Sequence, residues 1–170
     1  SNKGEWIEKL MKDYKKDLNE KNIQPLSDDY IKFIRYGEYL INKNGEGVLA
    51  YISNNSFIDG IIHRQMRKHL LETFDKIYIL DLHGNSLKKE KSPDGGKDEN
   101  VFDIRQGVSI NIFIKLCDCN RNELGEIYHS ELFGKREKKY NFLKDNPYRA
   151  IDWKKLKYKE PEFFFIYKDY

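Results

Sequence analysis

Residues 47–85, GVLAYISNNSFIDGIIHRQMRKHLLETFDKIYILDLHGN, decide the fold. Val48 to Ile52 is a short apolar run, bounded by Gly45 and Gly47 before it and by Ser53-Asn54-Asn55-Ser56 after it. Such a run suits a strand buried on both faces. From Ile61 to Phe74 the residues Ile62, Met66, Leu70 and Phe74 share one helical face. His63, Arg64, Arg67 and Lys68 turn away from it and read as a solvated face. Ile77 to Leu82 is a second apolar run, stopped by His83-Gly84-Asn85. Strand, amphipathic helix, strand is the βαβ signature, whose crossover is right-handed in about 98% of cases. An open α/β sheet follows.

Upstream, Trp6, Leu10, Tyr14 and Leu18 make one narrow apolar stripe on a charged helix between Glu5 and Glu20. Ser27-Asp28-Asp29 reads as an N-cap and acidic first turn. Tyr30, Phe33, Ile34, Gly37 and Ile41 then give a second helix to about Asn42, closed by Asn44-Gly45. Trp6, Phe33 and Phe74 are expected in the core. Downstream, Ser86 to Asn100 is a long polar loop, either functional or mobile. Val108, Ile110, Ile112 and Ile114 alternate with Ser109, Asn111 and Phe113, a third strand whose short link makes it antiparallel to the second. Beyond Leu116 the pattern loosens to a strand at Glu126–Leu132 and a basic helix at Lys135–Leu143.

The 170 residues carry 31 Lys+Arg against 28 Asp+Glu, a net charge of +3, too small to argue for a nucleic-acid partner by itself. Aromatic residues make up 14%, which excludes a disordered chain. No apolar run reaches the roughly 18–20 residues of a membrane span, and Trp6, Ile7 and Leu10 sit among charges unlike a signal peptide. Two cysteines do not make a disulfide scaffold. A cytoplasmic location with no membrane partner is the expectation.

Cys117-x-Cys119 lacks the further ligands zinc needs, so free thiols are expected and no metal site is assigned. Gly95-Gly96-Lys97 fails as a phosphate loop, because Glu90 and Asp98 stand where Gly and Ser/Thr are required. Pro93-Asp94 with Asp152-Trp153-Lys154 is a weak metal-nuclease pattern in a chain rich in Asp and Lys. The polar clusters say more. Asn54-Asn55-Ser56-Phe57 follows the first strand and His83-Gly84-Asn85 the second, so with parallel strands both reach the carboxyl edge, where open α/β sheets bind ligands. Val101-Phe102-Asp103-Ile104-Arg105-Gln106 enters the third strand from the same edge. Turn chemistry explains each cluster separately just as well. Lys88, Lys89 and Lys91, on the loop beside the crevice, are candidates for phosphate contact.

Taken in order, Asp28–Arg35, Gly47–Asp59, Ile77–Asn85, Glu99–Ile104 and Gly107–Phe113 resemble the latter half of an N6-adenine DNA methyltransferase core. The nearest likeness is to the single-chain type I-like and type IIG restriction–modification polypeptides. The resemblance is good from about residue 26 to 116. Gly134–Tyr140 looks like the family's stretch leading to target recognition. It implies a partial methyltransferase (Rossmann-like) sheet in residues 1–116, with a linker and the start of a target-recognition region in 117–170. The family binds S-adenosylmethionine through a glycine loop after its first strand and acts through an Asn-Pro-Pro-Tyr motif after its fourth. Neither is in this chain, and Asn146-Pro147-Tyr148 lacks the second proline and lies too far downstream.

The resemblance therefore implies a fragment whose parent methylates adenine N6 in DNA. This chain has no catalytic residue of its own and binds no cofactor alone. A flipped adenine needs stacking partners. Phe102 is the candidate stacking face, Asn54, Asn55, Ser56 and Phe57 border the target-base pocket, and Lys88, Lys89, Lys91 and Arg105 meet DNA phosphates. The partners implied are DNA and the rest of the polypeptide, with self-association through an exposed sheet edge. The alternatives are a non-catalytic DNA-binding or assembly module and, third, a metal-dependent nuclease fragment.

Overall fold

A computed structural model describes residues 4–117 and 122–170. Helix α1 (Glu5–Lys15) ends sooner than its stripe suggests, and Met11 and Tyr14 are its buried residues. Helix α2 (Asp29–Asn44) begins after Asp28, as expected. It ends at Gly45, whose left-handed φ of 91° suits glycine. Strand β1 (Gly47–Asn54), helix α3 (Arg64–Thr73) and strand β2 (Lys76–Asp81) follow in the order read from the sequence. Strands β3 (Val108–Lys115) and β4 (Glu126–Glu131), helix α4 (Arg136–Asp145) and the two-residue strand β5 (Lys154–Lys155) complete the chain.

The strands form one mixed sheet in the order β1-β3-β2-β4-β5. β3 is antiparallel to both β1 and β2, with Ala50 opposite Ile112 and Tyr78 opposite the same Ile112. β1 and β2 are therefore parallel to each other but not adjacent, and the crossover through α3 spans β3. β4 is parallel to β2, with Tyr78 opposite Tyr128, and β5 is antiparallel to β4. The α/β architecture with an antiparallel third strand holds. The residues after 117 add strands to the same sheet.

Helices α1 to α3 cover one face, where Ile77, Ile79, Phe113 and Ile127 pack with Ile31, Ile34, Leu70 and Phe74. On the other face Leu80, Leu82 and Val108 pack with Phe142, Leu143 and Trp153. β2 is buried on both faces, as its apolar run predicts. β1 is not: Val48 and Ile52 are exposed, because only the face bearing Leu49 and Tyr51 is covered. The outer edge of β1 has no strand paired to it among the described residues.

Three expectations are corrected. Trp6 and Phe33 are not core residues, at 46% and 60% exposure, whereas Phe74 is. The buried stripe of α2 is Ile31, Ile34, Arg35 and Glu38. It is chosen by Glu38, whose carboxylate accepts from Tyr14 (2.7 Å) and Thr73 (2.7 Å) and pairs with His69 (2.7 Å), tying three helices together. Phe33 falls outside that stripe, and Trp6 packs edge-on against Tyr36 and Tyr39. His63 and Arg67 do not belong to a solvated face, since both are buried. Arg67 donates to the carbonyls of Phe57 (2.7 Å), Gly60 (2.8 Å), Glu162 (2.6 Å) and Phe163 (3.0 Å), pinning the C-terminal segment to α3. Cys117 is disulfide-bonded rather than a free thiol. Cys119 lies outside the described residues.

Candidate functional site

The turns after β1 and β2 and the loop entering β3 meet at one edge of the sheet. Asn55 N–H donates to Gly107 O (3.0 Å), Val108 N–H to His83 O (3.2 Å) and Ser86 N–H to Arg105 O (3.0 Å). Asn100 closes the set, its amide donating to Gly84 O (3.2 Å) and Gln106 O (2.6 Å) while its oxygen accepts from Phe102 N–H (2.9 Å). Gly84 is required here. It has φ of 80°, and a Cβ would stand 2.4 Å from Asn100 Cα. The parallel relation of β1 and β2 puts all three segments at their carboxyl ends, where the sequence places them.

Within that edge the candidate residues divide. Phe102 is 41% exposed and lines a cavity of about 480 Å³ with Gly84, Ser86, Lys97, Asn100 and Arg136. Asn55 lines a different cavity, of about 300 Å³, with Asp81, His83, Lys88, Glu90 and Tyr167. Asn55 donates to Asp81 (2.9 Å), so its side chain braces the end of β2. Asn54 uses its oxygen on Ser56 N–H (2.8 Å) and hydroxyl (2.6 Å), the turn chemistry its residue type suggests. Phe57 is wholly buried, edge-on against Phe165, and belongs to the main core rather than to either cavity. Lys88, Lys89, Lys91 and Arg105 are all exposed, and Lys88 pairs with Asp59 (3.6 Å). The loop bearing Lys91 is an ordered turn: Lys91 and Lys97 form a bridge, and Gly95 N–H donates to Ser92 O (2.8 Å).

His83, which the sequence places at the ligand-binding edge without naming its partners, is a hub. Its ring lies 3.2 Å from Glu131, 3.7 Å from Asp81 and 3.7 Å from Glu90, and stacks on Phe133 at 3.8 Å. Burial alone depresses an imidazolium, but Glu131, Glu90 and Asp81 outweigh it and push the ring up to about 9. A protonated His83 thus joins the ends of β2 and β4 to the intervening loop. Nearby His129 is buried with its Nε2 unpartnered, and burial holds it below its ordinary value, neutral.

Asp98 is a second hub. Its side chain and that of Lys139 are both fully buried and 2.9 Å apart. Asp98 also accepts from Gly84 N–H (2.6 Å) and Gly134 N–H (2.7 Å). The basic helix at 135–143 was legible in sequence, but not that one of its lysines is interior. Among the described residues, no group of three or more His, Cys, Asp or Glu is placed to hold a metal. No helix among them is long and apolar enough to cross a membrane.

The chain superposes on a segment of the DrdV–DNA complex with a TM-score of 0.77 at 26% identity, covering 92% of this chain and 15% of that one. It matches the ATP-dependent Type ISP restriction-modification enzyme LlaBIII, solved bound to DNA, with a TM-score of 0.79 at 28% identity, covering 95% and 11%. A nuclease-deletion mutant of the Type ISP restriction-modification enzyme LlaGI, in complex with a DNA substrate mimic, agrees in fold: TM-score 0.77, 23% identity, 94% and 13% coverage. The chain has the fold of a restriction–modification enzyme segment. It spans about one-seventh or less of these chains' lengths. No protein-family model and no curated protein matches the sequence.

Proposed function

We propose that this chain is the part of a restriction–modification enzyme that presents target DNA to the methyltransferase chemistry, in a parent that methylates adenine N6 with S-adenosylmethionine. The observation that carries the reading is the convergence of three turns on one sheet edge. They leave Phe102 exposed over a polar cavity, in a fold matched by segments of enzymes solved on DNA. An extrahelical base needs an aromatic face and amide-rich surroundings. Phe102 offers the face with the Asn100 amide in the same cavity, and Asn54, Asn55 and Ser56 border the adjoining part of the edge. Lys89, Lys91 and Arg105 are exposed towards phosphates, and Lys88, exposed as well, meets them in exchange for its pair with Asp59.

The residues present do not make a cofactor site by themselves. The carboxylates of the smaller cavity surround His83 and Lys88, and Asp98 and Asp103 beside Phe102 are engaged by Lys139 and Arg136. No catalytic step is assigned to this chain. S-adenosylmethionine titrated into the isolated protein should show no stoichiometric binding, and a tight one-to-one isotherm would overturn that division of labour.

Duplex and single-stranded affinity should fall with salt, with a negative log–log slope set by the phosphates contacted. Absence of binding at low salt would remove the DNA-presenting role from the isolated chain. A second reading, an assembly module, is favoured by β1: Val48 is 60% and Ile52 41% exposed beside an unpaired edge. That edge, unpaired among the described residues, suits a strand from the remainder of the polypeptide or, in isolation, a second copy.

A further inference from the structure

Four successive backbone carbonyls leading to Phe102 accept hydrogen bonds from the side chains of one helix. Lys139 Nζ donates to Glu99 O (2.6 Å), Arg136 Nε to Asn100 O (2.7 Å), the Tyr140 hydroxyl to Val101 O and Arg136 Nη2 to Phe102 O (3.0 Å). The backbone joins in: Glu99 N–H donates to Gly134 O (3.0 Å), and Glu99 Oε2 accepts from Arg136 N–H (3.1 Å). Arg136 also reaches the Asp103 carboxylate (2.8 Å). Residues 99–102 belong to no helix or strand, so their carbonyls have no ladder to satisfy them. α4 supplies the partners instead, while the Phe102 ring stays in solvent.

A loop held this firmly around an exposed aromatic is organised for something outside it. A stacking face on a free loop loses conformational freedom when a base arrives, and that ordering weakens binding. A loop already fixed avoids the loss, provided its supporting shell is rigid. The planar guanidinium of Arg136 spans two carbonyls at once, which the single ammonium of a lysine does not reproduce in that geometry.

We propose that α4 is a splint for the base-stacking loop, with Arg136, Lys139 and Tyr140 as positioning residues for Phe102. Residues beyond 117 are then coupled to the pocket: any movement of α4 when target DNA is engaged moves Phe102 with it. This rests on the reading of Phe102 as a stacking face.

The test compares two single-stranded oligonucleotides, one carrying adenine and one an abasic site at the same position, against the full chain. Wild type should bind the adenine form about fivefold or more tightly, the low end for one base stacked on an aromatic. Phe102→Ala should bring the ratio to near one. Arg136→Lys keeps the charge, so its salt slope should match wild type while its adenine-to-abasic ratio falls towards that of Phe102→Ala. Tyr140→Phe, at a half-exposed position, should give a smaller drop in the same ratio. Hydrogen exchange without DNA adds a second readout: amides 100–106 should exchange at least several-fold faster in Arg136→Lys, with β2 and β3 unchanged. If Phe102→Ala leaves the ratio intact, the stacking reading falls and the splint with it. If Phe102→Ala abolishes the ratio but Arg136→Lys retains it in full with wild-type exchange, the splint alone is overturned.

Discussion

Replacing Lys139 by Met removes one ammonium from the interior and leaves the stem in place. Three interactions go: the pair with Asp98 at 2.9 Å and the donations to Leu82 O (2.7 Å) and Glu99 O (2.6 Å). Asp98 keeps the N–H groups of Gly84 and Gly134 but becomes a buried carboxylate without a counter-charge. Breaking a buried pair from one side costs about 3–5 kcal/mol, because the remaining charge is uncompensated. Against a total of roughly 5–15 kcal/mol for a domain, Lys139→Met is severely destabilising. Removing both charges, in Asp98→Asn with Lys139→Met, lifts the largest part of that penalty. The double variant should therefore be more stable than Lys139→Met alone by at least about 1–2 kcal/mol, the mark of a coupled pair. Urea unfolding followed by far-UV circular dichroism measures all four corners of the cycle. A Lys139→Met loss below about 1 kcal/mol, typical of exposed pairs, would refute the claim that this pair is interior and coupled.

Three further outcomes follow from other parts of the fold. The His83 imidazolium is raised to about 9. Its contribution is full below its unfolded value near 6.5 and lost as pH rises through 9. It is worth about 3 kcal/mol over that window. Unfolding free energies at pH 6, 8 and 10 should show the fall in wild type and a much flatter profile in His83→Gln; equal slopes would count against the hub. Arg67→Met strips the donors from four carbonyls around α3 and the C-terminal segment. It should cost about 3 kcal/mol or more and expose residues near 162 to limited proteolysis, so unchanged cleavage would be contrary evidence. Ile52→Lys places a charge on the bare face of β1. In sedimentation velocity it should reduce any concentration-dependent association of wild type, and identical profiles would acquit this edge.

Much of the fold was legible because burial leaves a pattern in apolar residues. The runs 48–52 and 77–82 give strands (the second ending one residue early, at Asp81), 108–114 is antiparallel to its predecessor, and α2 closes on its glycine. What sequence hid was charge in the interior. Glu38, Arg67, Asp98 and Lys139 look like solvent residues on composition, and each is interior only because partners distant in sequence satisfy it. The reverse error applies to Trp6 and Phe33. Apolarity alone places them inside, but the Glu38 network selects another face of α2 than Phe33's, and α1 buries Met11 and Tyr14 while Trp6 lies half-exposed against Tyr36 and Tyr39. At the candidate site, the meeting of the turns follows from strand direction and was readable. The separation of Asn55 and Phe102 into two cavities depends on loop conformation, which no periodicity encodes.

The place of β3 also governs how the chain can assemble. Among the described residues every pairing in the sheet involves either β3 or β4, so within them β1 and β2 have no strand partner until residues 108–115 are available. Taken by themselves, the described residues up to Asp81 hold two apolar strands and three helices with no sheet of their own to join them. Pairing across such sequence separation is slow, and unpaired apolar strands are prone to aggregate. Truncations ending between residues 82 and 107 should therefore yield insoluble protein rather than a smaller folded unit. In synthesis, the long polar loop from Ser86 to Asn100 is the interval the first half must outlast before its central strand arrives.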